Sequence, residues 1–250
     1  MVSTINAQVD RSQRPEAGPA PKIQIGQFES FTLVNGLKVF VIENHKLPRV
    51  SFSLTADIDQ MLEGDKVGLS SMAGDLMSAG TRRKTKEEID ESIDFMGANL
   101  TTYSSGFFAS SLTKHMNSLL DITTDILYNP SFPEEELAKM KKRTVSGLKA
   151  SKTNPDAISA NIKSVINYGA NHPSGEIQTI QHVKNITIED CKNYYDTYFR
   201  PNVSYLVIVG DIKFADAKTL VEKYFNQWEK ADVPTHEYSI PSKPAQTEVH

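Results

Sequence analysis

Residues 67–100 read VGLSSMAGDLMSAGTRRKTKEEIDESIDFMGANL, and they contain two helix signals in succession. In the first half, apolar residues recur at helical spacing: Leu69, Met72, Ala73 and Leu76. In the second half, Ile89, Ile93 and Met96 do the same. Thr85 and Glu88 have the spacing of a capping box, and Gly97 stands where a helix can end. The stretch therefore predicts helices over about residues 66–79 and 86–96.

Strand patterns lie on both sides of this helix pair. Before it, Asn35-Gly36 separates two apolar runs, which predicts a hairpin with a two-residue turn and positive φ at both turn residues. Residues 50–58 alternate between apolar and more polar side chains, as a strand with one buried face requires. Two further strands are predicted at 98–104 and 107–113. Residues 203–209 are almost continuously apolar, which predicts a strand buried on both faces.

The remaining segments have helical patterns. We predict helices at about 116–128, 133–152, 154–169, 187–199 and 214–228. In the third of these, the apolar stripe that should face the interior comprises Ile158, Ile162, Val165 and Ile166. Strands come first and helices dominate afterwards. This order predicts an α+β fold with helices packed on a mainly antiparallel sheet.

Composition limits the possible partners and the domain organisation. The 250 residues carry a formal net charge of -4, which gives no reason to expect nucleic acid or an anionic membrane as a partner. There is no apolar run long enough to predict a membrane span. Proline-rich ends predict a flexible tether over 1–29 and a linker over 231–250, on either side of a domain at 30–230. A secreted or periplasmic protein without its signal and a cytoplasmic protein both fit this pattern.

Several stretches together resemble the insulinase/pitrilysin family of zinc peptidases. They are FTLVNGLKVFVIENHKLPRVSFSL at 31–54, the paired residues Gly68-Leu69, Gly80-Thr81 and Gly97-Ala98, NYGANHPSGEIQTI at 167–180, and YFRPNVSYLVIVGDI at 198–212. They occur in the family's order and cover about residues 30–230. The resemblance implies the fold of that family's N-terminal domain.

The resemblance also locates the positions of the family's metal site. The family binds zinc through an H-x-x-E-H motif, whose histidines correspond to Ser71 and Asp75 and whose glutamate corresponds to Gly74. A further glutamate ligand corresponds to Gly147. Since one carboxylate will not hold a catalytic zinc, which needs three protein ligands, we expect no catalytic residue, no metal and no other cofactor. The small residues are expected to let helices 69–79 and 137–150 pack closely near Ser71 and Gly147.

No other side chains in the sequence form a replacement site. The six histidines show no pairing at helical spacing, and they are interpreted as solvated or packing residues: His45, His115, His172, His182, His236 and His250. His172 and His182 are expected in loops. The single cysteine, Cys191, excludes an intrachain disulfide. With Ile186 it has the spacing of a hydrophobic staple, so it is interpreted as a core residue rather than a nucleophile.

Three functional hypotheses follow from the resemblance. The first is a non-catalytic subunit of a heterodimer, which helps form a peptide-binding chamber with a zinc-bearing homologous subunit and takes unfolded polypeptide as its substrate. In this hypothesis a second homologous domain follows the linker. The second is an active zinc-dependent endopeptidase with a displaced site. The third is a purely structural or binding homologue.

Overall fold

The computed structural model describes residue 18 and residues 27–241 of the chain. Most of the predicted tether, and the end of the predicted linker at 242–250, lie outside the described residues. Six strands form one sheet: β1 Glu29–Thr32, β2 Lys38–Glu43, β3 Arg49–Ala56, β4 Asn99–Tyr103, β5 Gly106–Leu112 and β6 Ser204–Gly210. Their order across the sheet is β1-β2-β6-β3-β5-β4. Only β2 and β6 pair in parallel, so the prediction of a mainly antiparallel sheet is confirmed.

The helices lie close to their predicted positions. They are α1 Leu69–Met77, α2 Lys86–Phe95, α3 Met116–Tyr128, α4 Glu134–Ser151, α5 Pro155–Tyr168, α6 Ile180–Asn185, α7 Ile188–Tyr198 and α8 Phe214–Phe225. The short α6 was not predicted. Within the described residues, none of these helices has the length and apolar character that a membrane crossing needs. The α+β prediction is confirmed.

Local sequence signals explain where several helices begin and end. Thr85 and Glu88 form the predicted capping box at the start of α2, and Gly97 follows this helix with a φ of 57°. Ile186 and Cys191 are both fully buried around the start of α7, as the predicted staple requires. Each signal satisfies backbone groups or side-chain contacts within one turn of helix. Such features can therefore be predicted without the rest of the fold.

The core lies against one face of the sheet. Alternate side chains of the central strands are fully or almost fully buried there: Val39, Val41, Phe52, Leu54, Leu206 and Ile208. Helices α1, α3 and α8 contact β4, β5 and β2 respectively, and they supply the facing layer. Burial of these apolar side chains provides most of the driving force for folding, at about 25 cal/mol per Å² removed from water.

The β1–β2 hairpin forms as predicted, but its turn type differs. The connection has three residues, Val34–Gly36. The N–H of Leu33 before it donates to the C=O of Leu37 after it at 2.9 Å. Only Gly36 has positive φ, at 95°, so the predicted two-residue turn is wrong. The Asn35 amide donates to the carbonyls of Phe225 and Trp228 at 2.8 and 2.9 Å. These tertiary bonds hold Asn35 in place, and Gly36 alone provides the left-handed residue.

Two predictions of burial are wrong in the same way. In β6, Leu206 and Ile208 are buried, but Tyr205, Val207 and Val209 remain partly exposed, so only one face of this strand is covered. In α5, no residue is buried, and Ile162 of the predicted inward stripe is 53% exposed. The helix itself is correct, with Asn154 as its cap and Gly169 after it. Within the described residues, nothing covers these apolar surfaces fully.

Candidate functional site

Two glutamates fix the start of α1, the helix that carries the motif positions. The Glu63 carboxylate accepts hydrogen bonds from the backbone N–H groups of Gly68 and Ser70, the latter at 2.7 Å. The Glu176 carboxylate in turn accepts from the N–H groups of Glu63 and Gly64, both at 2.8 Å. The Glu63 bonds satisfy N–H groups at the start of α1 that have no partner within the helix, and the Glu176 bonds hold the segment that carries Glu63. The start of α1 is therefore capped by the nearby Glu63, whose own backbone is held by Glu176 from a distant part of the chain.

One side of α1 is buried and the other carries two of the motif positions. The predicted apolar stripe faces the core, where Met72, Ala73 and Leu76 are buried. Ser71 and Asp75, at the positions of the family's two histidines, are exposed and one turn apart. Because residues four apart share a helix face, their side chains leave α1 on the same side.

The fourth position, Gly147, is exposed on α4. Helices α1 and α4 contact each other, as predicted, so both lie on one side of the sheet. However, a Cβ added at Gly147 would meet nothing within 4 Å. The expectation that Gly147 permits close helix packing is therefore wrong, since the space beside it is open.

Gly74, at the position of the general base, is tightly packed against a different element. A Cβ at Gly74 would lie 2.2 Å from the carbonyl carbon of Tyr103 and 2.4 Å from the backbone nitrogen of Ser104. These atoms belong to the turn between β4 and β5, and they are backbone atoms that cannot swing aside. The close approach is thus between α1 and the sheet edge, and any side chain at this position requires the backbone to move.

Asp75 is the one motif position with a carboxylate. Partial desolvation raises its pKa, and the nearby cation of Arg143 acts in the opposite direction. Arg143 stands one helical turn before Gly147 on α4, so it brings a positive charge to the same region. The sequence reasoning missed this residue, although the spacing of four from Gly147 on a predicted helix could have indicated it.

The side chains present do not fit a catalytic zinc. Ser71 offers a neutral hydroxyl, Gly74 and Gly147 offer no donor, and the charge of Arg143 opposes a cation beside Asp75. Across residues 27–241, no three His, Cys, Asp or Glu side chains come together in an arrangement that could hold a metal ion. These positions therefore do not supply the three protein ligands that a catalytic zinc needs.

Three of the histidines within the described part of the chain make packing or capping contacts. His172 is buried, accepts a 3.0 Å hydrogen bond from the N–H of Ser174, and stacks on Tyr168 with ring centroids 4.9 Å apart. His182 lies in α6 rather than in a loop, because its ring nitrogen helps to cap that helix. The Tyr198 hydroxyl lies 2.7 Å from a ring nitrogen of His236.

His45 joins three elements at the far end of the sheet. Its Nδ1 lies 2.7 Å from Asp211, which follows β6, and its Nε2 lies 3.0 Å from Glu43 at the end of β2. The hydrogen bond to Asp211, and then the one to Glu43, raises the pKa of His45. Glu43 also accepts the N–H of Phe214 at the start of α8, and that bond is the main cause of its lowered pKa. The cluster thus connects the ends of β2 and β6 to the start of α8.

Cys191 is confirmed as a core residue. Its side chain is fully buried, and burial raises the pKa of the thiol to about 11. The thiolate is the nucleophilic form of cysteine, so burial disfavours reaction of this thiol in the folded chain.

A cleft opens beside the start of α1. It has a volume of about 480 Å³ and is lined by the end of β3, the β4–β5 turn, and the loop around Pro173. Its walls include both apolar and polar side chains, among them Ile58, Met61, Gln60 and Tyr194. Strand β4 is the edge of the sheet and pairs only with β5 among the described residues. The motif helix, the cleft and an edge strand thus lie together.

Comparisons with known proteins agree with the fold. The family model described as Insulinase (Peptidase family M16) matches residues 38–172, and that of the Peptidase M16 inactive domain matches residues 185–250. A Bacillus subtilis protein named as an uncharacterized zinc protease, YmxG, is 26% identical over 80% of this chain and 50% of its own length. The beta subunit of the rat mitochondrial-processing peptidase is 22% identical over 90% of this chain and 48% of its own length.

Solved structures share the fold. A peptidase M16 inactive domain from Pseudomonas fluorescens superposes with a TM-score of 0.78 and 20% identity, over 87% of this chain and 54% of that one. The periplasmic protease PqqL of Escherichia coli gives a TM-score of 0.73 and 15% identity, over 89% of this chain and 26% of that one. The chain spans about half the length of the curated relatives it matches. With the first family model covering more than half of its residues, this chain belongs to the insulinase family of peptidases, peptidase family M16.

Proposed function

We propose that this chain is a non-catalytic part of an M16 peptidase, which binds unfolded polypeptide beside a zinc-bearing homologous subunit. The observation that supports this most is the packing of Gly74. The position of the catalytic glutamate faces the backbone of Tyr103 and Ser104, so a glutamate cannot be accommodated there without a backbone shift. A general base therefore has no room at this position, and the described residues bring no other three potential metal ligands together, which favours the hypothesis over an active peptidase with a displaced site.

The surface beside the motif helix suits an extended polypeptide. An edge strand offers backbone N–H and C=O groups that can pair with an added strand, whatever the sequence of that strand. Strand β4 is such an edge, and it contacts α1. The adjoining cleft, lined by Ile58, Met61 and Tyr194 with the polar Gln60 and Ser174, can take side chains of mixed character. Backbone pairing with little side-chain selection is what an unfolded substrate needs.

The relatives support three further parts of the proposal, which are the partner, the second domain and the compartment. The rat relative is named as a subunit, and a fold neighbour from Escherichia coli is named as a periplasmic protease. On this basis we propose a heterodimer with a zinc-bearing relative and a periplasmic location. Since the relatives are about twice as long as this chain, we also propose that residues 231–250 lead to a second homologous domain.

The test is a cleavage assay with a zinc-bearing M16 relative from the same organism. Full-length protein is added to that relative, and cleavage of an unfolded peptide is followed together with complex formation on a sizing column. We expect a complex and faster cleavage than the relative shows alone. Equal cleavage with and without this protein, and no complex, would refute the proposal.

A pair of variants examines the peptide-binding surface in the same assay. Gln60 is exposed in the cleft, so Gln60→Trp should narrow it and raise the KM for peptide while leaving the complex intact. Lys218→Trp, on the exposed side of α8, is the matched control and should change nothing. An unchanged KM for Gln60→Trp would remove the cleft from the substrate path.

A further inference from the structure

Helix α5 carries an apolar stripe that the described residues leave uncovered. Its large apolar side chains are 41–53% exposed: Ile158, Ile162, Val165, Ile166 and Tyr168. No residue of the helix is buried. The only charged side chains on it are Asp156 and Lys163, so the stripe is not a solvated charged face. An isolated helix of this length is marginal in water, and helices in proteins are stabilised mainly by packing of an apolar face.

The chain itself leads from the domain toward this helix. After the buried Trp228, Ala231 is bonded to Asn202 at 3.0 Å, and the N–H of His236 donates to Asp59 at 3.2 Å. Tyr238 then packs edge-on against His172, with ring centroids 4.6 Å apart.

His172 stacks on Tyr168, which is the last residue of α5. The aromatic series Tyr238–His172–Tyr168 therefore places the described end of the linker beside the C-terminal turn of α5. Ile240, just beyond, is 86% exposed. The described part of the linker therefore runs beside the uncovered stripe before it reaches residue 241.

We infer that the apolar stripe of α5 is the docking surface for the second homologous domain of the full-length protein. This inference rests on the proposed second domain, and it names the surface against which that domain packs. The relatives are about twice the length of this chain, which supplies a covalently attached occupant of the right size. A surface rich in Ile and Val with few charges is typical of an obligate interface. The described part of the linker passes the C-terminal end of the helix, so a domain attached to it is within reach of the stripe.

The experiment compares the native polypeptide, purified from its source cells, with the 250-residue chain. Backbone hydrogen exchange is measured for peptides covering residues 155–168, and the mass of each species in solution is determined. In the 250-residue chain, which we expect to be monomeric, α5 should exchange quickly. In the longer native protein its exchange should be about tenfold slower or more, because a covered helix opens less often. Neither readout depends on peptide cleavage, so the inference can fail or hold independently of the partner hypothesis.

Point variants provide a second readout. Ile162→Gln should leave the melting temperature of the 250-residue chain unchanged, because this side chain is already half-exposed there, and should lower that of the native protein. Ala160→Gln lies about 200° away around the helix and should have no effect in either protein.

Three results would overturn the inference. One is equal α5 exchange in both proteins. Another is a native polypeptide that ends at His250 and stays monomeric. The third is a 250-residue chain that dimerises with α5 protected, which would make a second copy the occupant.

Discussion

Two glycines at the motif positions should respond in opposite directions to the same substitution. At Gly147, the added methyl group of Gly147→Ala meets nothing within 4 Å. Alanine in a helix interior is more favourable than glycine by about 0.5–1 kcal/mol. We therefore expect the free energy of unfolding to rise by about that amount.

At Gly74, the same gain in helix propensity is opposed by a steric overlap. The new Cβ would lie 2.2 Å from the Tyr103 carbonyl carbon and 2.4 Å from the Ser104 nitrogen. Overpacking of a well-filled core costs about 1–3 kcal/mol, and contact with backbone atoms leaves less room for relief than contact with a flexible side chain. A cost at the upper end of that range leaves Gly74→Ala less stable than the parent by about 2 kcal/mol.

Urea unfolding of the 250-residue chain, followed by circular dichroism, measures both variants. The two should differ by about 3 kcal/mol, with the parent between them. Gly74→Ala at or above the parent's stability would show that the β4–β5 turn does not occupy the position of the general base. A destabilised Gly147→Ala would show that α4 is covered at Gly147, against the open space seen beside it.

Three further outcomes follow from the site and its surroundings. The stability difference between the parent and His45→Gln should be largest below pH 6.5, because only the protonated ring of His45 can donate to both carboxylates. The difference should shrink as the pH rises through the raised folded pKa of His45. A difference that grows toward high pH would contradict this. High salt should also reduce that difference, since the cluster is partly exposed. Cys191 should resist a thiol reagent at pH 8 in the folded chain and react fully in denaturant, and rapid labelling of the folded chain would show that α7 opens. The triple variant Ser71→His, Asp75→His, Gly147→Glu should gain zinc binding, because two histidines four apart on an exposed helix face can chelate zinc. The variant should still cleave no peptide, since Gly74 provides no general base. Zinc-dependent cleavage by this variant would refute this role of Gly74.

Local signals in this sequence predicted most of the fold. The capping box of α2, the cap and Gly169 stop of α5, and the staple before α7 each involve groups within a few residues of one another. The hairpin was also found from the Asn35-Gly36 pair, but its turn type depended on bonds from Asn35 to carbonyls almost two hundred residues away. No local pattern contains that information.

The direction in which an apolar stripe faces was not predictable from the stripe alone. Periodicity placed Ile158 and Ile162 on one side of α5, and it placed Val207 in a continuous apolar run of β6, but it could not say what covers them. The roles of Gly74 and Gly147 were likewise hidden, since both are small residues at motif positions. Only the three-dimensional packing shows that one is pressed against the sheet edge and the other faces open space.

The zinc content of the purified protein tests the central claim most directly. The protein is incubated with zinc, dialysed, and analysed for metal, together with the variant Asp75→Ala. With Ser71, Asp75 and Gly147 at the ligand positions and Arg143 beside Asp75, we predict far less than one zinc per chain and no change in the variant. One tightly held zinc per chain that is lost in Asp75→Ala would contradict the account.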